Sequence, residues 1–160
     1  MKKAQANQIF VYVLGLVIIA GIIILGYTMI FSVKKTASDA EIEALKSSLQ
    51  KEVKDIISEY DNKRTFTKEI SSRYTLVCFA DTTPEGRNAI MTDPEVNPIV
   101  NDSVASGSNN SVFLIDGQII AFSIKDLRVS PPRYNICYNN TGVINYTLQG
   151  KGEYALLITS

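Results

Sequence analysis

Hydrophobic positions in this chain first run together, then recur at helical spacing, then gather into short strand-like runs. Residues 9–31 read IFVYVLGLVIIAGIIILGYTMIF, 23 residues without a charge. At 1.5 Å per residue such a stretch makes roughly 34 Å of helix, enough for a ~30 Å hydrocarbon core. Its many Val and Ile residues would favour a strand in water. A lone strand in lipid leaves its backbone groups unsatisfied, so a transmembrane helix is predicted over 9–33. Tyr12, Tyr27 and Phe31 stand near its ends, where aromatic side chains meet the lipid interface. The rival is a cleaved secretory signal, which needs a shorter apolar stretch and a small-x-small site. Residues 31–35, FSVKK, offer no such site.

The pattern then changes period. Ser38-Asp39-Ala40-Glu41 has the form of a capping box. Beyond it Ile42, Leu45, Leu49, Val53, Ile56 and Tyr60 recur every three or four residues, with Lys and Glu between them. One apolar stripe on an amphipathic stalk helix over 38–61 is predicted. The stripe either docks on the following domain or pairs with other copies as a short coiled coil.

From 65 to 160 the chain reads as a β-rich head. Residues 74–80 (YTLVCFA) form a strand rich in branched and aromatic side chains. Residues 112–115 and 118–125, joined by Asp116-Gly117, read as a hairpin, because Asp-Gly suits a turn with positive φ. Runs at 134–138, 143–149 and 154–159 add three more strands. The Pro-, Asn- and Ser-rich passage between 81 and 110 holds one expected short helix, from Asp93-Pro94 to Val104. The fold class is therefore α+β: an N-terminal transmembrane helix, an amphipathic stalk helix and a β-rich antiparallel extracellular head. Residues 1–8 are a short basic leader.

Composition narrows the function. Sixteen basic and sixteen acidic residues balance, which speaks against a nucleic-acid partner, and there is no histidine. The commonest general base and metal ligand is therefore missing. No serine lies in a Gly-x-Ser-x-Gly elbow, and no phosphate-cradling glycine loop occurs. Asp81, Glu85, Asp93, Glu95 and Asp102 crowd one region but do not follow the spacing of a calcium loop. No cofactor, metal or catalytic residue is expected.

Cys78 and Cys137 are the only cysteines. Without histidine they cannot make an ordinary zinc site. In an exported domain they would form a disulfide; in a cytosolic one they would be buried thiols. Four Asn-x-Ser/Thr sequons, at Asn101, Asn109, Asn139 and Asn145, stand at or near predicted turns where a glycan is tolerated. Orientation is contested by two signals. Lys34, Lys35, Lys46, Lys51 and Lys54 would hold the C-terminal part inside, whereas the cysteines, sequons and Asn-rich β region place it outside. The expectation is an N-terminus inside and a head outside the cell membrane.

Lys2-Lys3-Ala4-Gln5 immediately before an apolar helix resembles the class III signal of archaeal type IV pilins. In that family a short basic leader is cut at the inner face of the membrane, and the hydrophobic helix becomes the filament core. The resemblance implies cleavage between Ala4 and Gln5 by a signal peptidase, followed by the pilus assembly machinery. It also implies self-association through the N-terminal helix. Ile9 occupies the place where many pilins carry a glutamate that helps set subunit register. A filament subunit of this kind is the first expectation. A permanently anchored surface module, with membrane lipid as its helix's only partner and a head that binds something else, is the second.

Overall fold

The computed structural model describes residues 2–158, apart from the side chains of residues 2–10, 28–38 and 118. It opens on α1 (Lys2–Ile57), a helix of 56 residues. The chain divides into two compact units, Met1–Ala44 and Leu45–Ser160, and α1 contributes to both. Helical backbone passes straight through Ser38-Asp39-Ala40-Glu41, so the expected capping box starts no helix. Neither Gly nor Pro occurs between Gly26 and the helix end, and nothing in the sequence breaks the ladder there. The helix also ends earlier than the expected boundary at 61. Beyond Ile57 the Ser58 hydroxyl donates to Asp55 O and the Glu59 amide to Ile56 O, which satisfies the last carbonyls locally.

In the first unit the large apolar side chains from Val11 to Tyr27 are 50–72% exposed, on every side of the helix. The expected span, 9–33, begins and ends in residues whose side chains lie outside the described ones. Among the described residues no helix is long and apolar enough to cross a membrane.

The second unit is mixed α and β. Its strands are β1 (Lys63–Glu69), β2 (Leu76–Ala80), β3 (Val112–Asp116), β4 (Gln118–Phe122), β5 (Leu127–Val129), β6 (Asn135–Asn139), β7 (Val143–Gly150) and β8 (Ala155–Ile158). Two short helices, α2 (Pro84–Thr92) and α3 (Pro98–Ala105), lie between β2 and β3. One sheet has the order β1-β7-β8-β5 and the other β4-β3-β2-β6. Every strand pair is antiparallel except β5–β8, which is parallel.

Burial explains the patterns. In β7, Ile144, Tyr146 and Leu148 are buried while Asn145 is exposed, the alternation of a strand with one wet face. In β2, Val77, Cys78, Phe79 and Ala80 are all buried, because that strand is covered on both sides. On one side Cys78, Ala80 and Phe113 join Ile90, Val96, Val100 and Val104 from the α2–α3 region in one cluster. On the other side Phe79 meets Tyr146 with ring centres 5.8 Å apart, so the two sheets face each other. The β3–β4 hairpin turns at Gly117, whose φ is +28°.

Two corrections concern the helices. The passage between 81 and 110 holds two rather than one. α2 starts at Thr83, whose hydroxyl accepts from the Gly86 amide, followed by Pro84. α3 starts not at Asp93-Pro94 but at Asn97-Pro98, where the Asn97 side chain accepts from the Ile99 amide. Asp93 instead takes the Glu95 amide in a turn. Its Pro94 therefore belongs to the link between the helices.

Candidate functional site

Three features of the chain have a bearing on function: the apolar surface of the first unit, the seating of α1 in the second, and a cavity at one edge of the second sheet. The first is the plainest. A helix that is apolar all round is stable only where something other than water surrounds it. The side chains of Lys2, Lys3, Ala4 and Gln5, expected to direct processing, lie outside the described ones. The helical backbone runs through the Ala4–Gln5 peptide.

Within the second unit the stalk stripe is docked. Leu49, Val53 and Ile56 are buried, each burial contributing about 1.5–3 kcal/mol. Tyr60, expected to close the stripe, lies past the helix end and is exposed. Glu52 stands three residues after Leu49 and so borders the stripe instead of facing away from it. Its carboxylate receives Lys68 Nζ of β1 at 2.7 Å and the hydroxyl of Tyr146 of β7. Lys68 also donates to the Ser48 hydroxyl. Both members of the Glu52–Lys68 pair are largely shielded from solvent. Burial, with Glu52 beside it, holds the Tyr146 phenol in its neutral form far above the usual range. Nearby, the Gln50 amide makes two bonds to the backbone of Lys125, 2.8 and 3.2 Å long. Nothing in the sequence pattern marked Glu52, Lys68 and Tyr146 as a group.

Cys78 and Cys137 form a disulfide, as the sequence suggested. They face each other directly in the register of β2 and β6, with Cα atoms 4.0 Å apart. The Asp81 amide donates to Tyr134 O and the Asn140 amide to Thr75 O. Continuing that alternation makes Cys78–Cys137 a non-hydrogen-bonded pair, where side chains stand closest. Cys78 is buried in the core and Cys137 is exposed.

Cys137 borders a cavity of about 390 Å³. Leu76, Ile136 and Cys137 supply its apolar part, and Glu95, Asn97, Arg133 and Asn135 its polar part. Glu95 and Arg133 pair at 2.8 Å, both side chains mostly exposed. The cavity draws on β2, the α2–α3 link, the loop before β6, and β6 itself. That scatter along the chain is why the sequence reading missed it.

The sequons separate into distinct settings. Asn101 is half-buried within α3, and Asn145 is exposed in β7, three residues past Gly142. Asn145 Oδ1 accepts from the Thr67 hydroxyl at 2.7 Å, and Asn109 Oδ1 from Arg87 at 2.6 Å. Asn139 ends β6, exposed, and among the described residues its amide has no hydrogen-bond partner. The five loop acids do not converge. Asp81 is buried and accepts from the Thr83 and Val129 amides, while Glu95 pairs with Arg133. Among the described residues no group of three or more His, Cys, Asp or Glu side chains is placed to hold a metal.

Comparison with protein-family models, with curated proteins and with solved structures finds no match to this chain.

Proposed function

We propose that this chain is a non-enzymatic, single-pass surface protein, a pilin-like subunit whose apolar N-terminal helix leaves the lipid to form a filament core. The observation that carries the reading is the exposed apolar surface from Val11 to Tyr27 on all sides of α1. Lipid and a bundle of identical helices are both apolar, so transfer from one to the other keeps that surface out of water. The sequence of residues 9–31 extends the same character on both sides. A disulfide joining two strands of the second unit supports an oxidising compartment for that unit, and hence an exported head. The basic leader supports processing at the inner face of the membrane.

The junction at Ala4 and Gln5 provides the test. In the native host the intact mass of the mature chain is expected to correspond to a Gln5 N-terminus. Lys3→Glu should leave full-length protein in the membrane with a normally folded head and no filaments. A wild-type chain that keeps residues 1–4 at its final location would leave the permanent surface anchor as the better reading.

A further inference from the structure

We infer that Asn139 carries an N-linked glycan whose first sugar seats in the cavity beside β6. The inference rests on the external-head reading above and adds to it a named acceptor and a binding site for carbohydrate. Of the four sequons, Asn139 alone combines an exposed position with an amide that has no partner among the described residues. The turn behind it is fixed. Asn140 Nδ2 donates to the carbonyls of Ser71 and Tyr74, and its Oδ1 accepts from the Gly142 amide. Asn139 is therefore held at the end of β6 by its neighbour while its own side chain stays free.

Register places it next to the cavity. Asn135, Cys137 and Asn139 alternate onto one face of β6, and Asn139 lies directly opposite Leu76 on β2. Leu76, Cys137 and Asn135 all line the cavity. Two residues along a strand span roughly 6.6 Å, so a sugar on Asn139 reaches the cavity without an intervening linker. The lining suits a sugar ring. Leu76, Ile136 and Cys137 offer an apolar surface for ring C–H groups, while Arg133, Glu95, Asn97 and Asn135 offer donors and acceptors for hydroxyls. A seated sugar would also cover the outer edge of β6, which no strand pairs among the described residues.

Attachment is a group transfer from an activated, lipid-phosphate-linked sugar, catalysed by an external transferase. The Asn139 Nδ2 atom forms a bond to the anomeric carbon as the carbon–oxygen bond to the lipid phosphate breaks. The phosphate leaves with the electron pair, and the amide nitrogen gives up one proton.

The experiment uses full-length protein from its native host. Site-resolved glycopeptide masses are read together with hydrogen exchange of wild type, Asn139→Gln, Asn109→Gln and Arg133→Ala. Asn139 should be occupied, and exchange across residues 133–137 should be slowed about fivefold relative to Asn139→Gln. Arg133→Ala should keep the glycan and lose much of that protection, whereas Asn109→Gln should leave it unchanged. An empty Asn139 beside a filled sequon elsewhere overturns the inference and leaves the external head standing. Four empty sequons with free thiols overturn both. An occupied Asn139 with no slowing of exchange at 133–137 overturns the seat.

Discussion

Tyr146, in the middle of β7, donates its hydroxyl to the carboxylate of Glu52 on α1, across 94 residues of sequence. The bond ties the helix to the first sheet, and Tyr146 at the same time stacks on Phe66 and meets Phe79 of the second sheet. One phenol thus touches the helix and both sheets.

That position makes stability depend on alkaline pH. Burial, then the bond to Glu52 and its charge, raises the Tyr146 pKa above the ordinary 10.0. In the unfolded chain the phenol ionises near its ordinary value, so above it the unfolded state releases a proton that the folded state keeps. The stabilisation is complete below pH ~10 and is lost as pH rises from there. The urea midpoint should fall as the pH is raised above ~10. Tyr146→Phe should cost about 1 kcal/mol at neutral pH and flatten that fall. Parallel declines for the two proteins would remove Tyr146 as the cause.

Docking of the α1 stripe predicts that Ile56→Ala destabilises the protein by about 3 kcal/mol, independently of protein concentration. A coiled coil between copies would instead make the loss shrink as concentration rises. Denaturant unfolding at two concentrations a hundredfold apart decides between them.

Gly150 tolerates no side chain. A Cβ there would lie 2.1 Å from Ile56 O, in the last turn of α1, and 2.4 Å from Glu59 O, just past the helix, both backbone atoms. The close approach is held by the Asp61 amide donating to Gly150 O at 2.8 Å and the Gly150 amide to Asn62 O at 3.0 Å. Gly150→Ala should lower stability by about 3 kcal/mol. A variant that unfolds at the wild-type midpoint would contradict this packing.

The disulfide closes a loop of 59 residues, stabilising the fold by about 4 kcal/mol through the unfolded state. The double Cys78→Ala, Cys137→Ala variant should melt about 15 °C or more below wild type. Equal melting temperatures, measured without reductant, would show that the pair contributes nothing.

What the sequence disclosed followed local chemistry. The β3–β4 hairpin was legible because Asp116-Gly117 separates two aliphatic runs, and β7 because its apolar residues alternate. β1 was not, since KRTFTKE carries four charges and buries no residue fully. Those charges suit an edge strand, which they protect from pairing with another chain. β5 is only three residues long. α2 carries a start signal, Thr83-Pro84-Glu85, but the Pro-, Asn- and Ser-rich passage around it reads as loop. α3 starts four residues later than expected because Asp93-Pro94 and Asn97-Pro98 have the same form, and only the second caps a helix. The cysteine pair could be proposed from its strands, but its pairing partner across β2 and β6 was a matter of register. The cavity depends on tertiary placement alone, and its Arg133 and Glu95 carry no mark in the sequence.

The seating of α1 has a mechanical consequence. Gln50 holds Lys125, Glu52 holds Lys68 and Tyr146, and the chain just past the helix holds Gly150, so the second unit is fastened at successive points along one rod. A pull along that rod strains these fastenings together in shear instead of opening them one after another like a zipper. Sideways force, prying the rod away, would meet them singly. The second unit should therefore withstand far more tension along its own segment of α1 than across it.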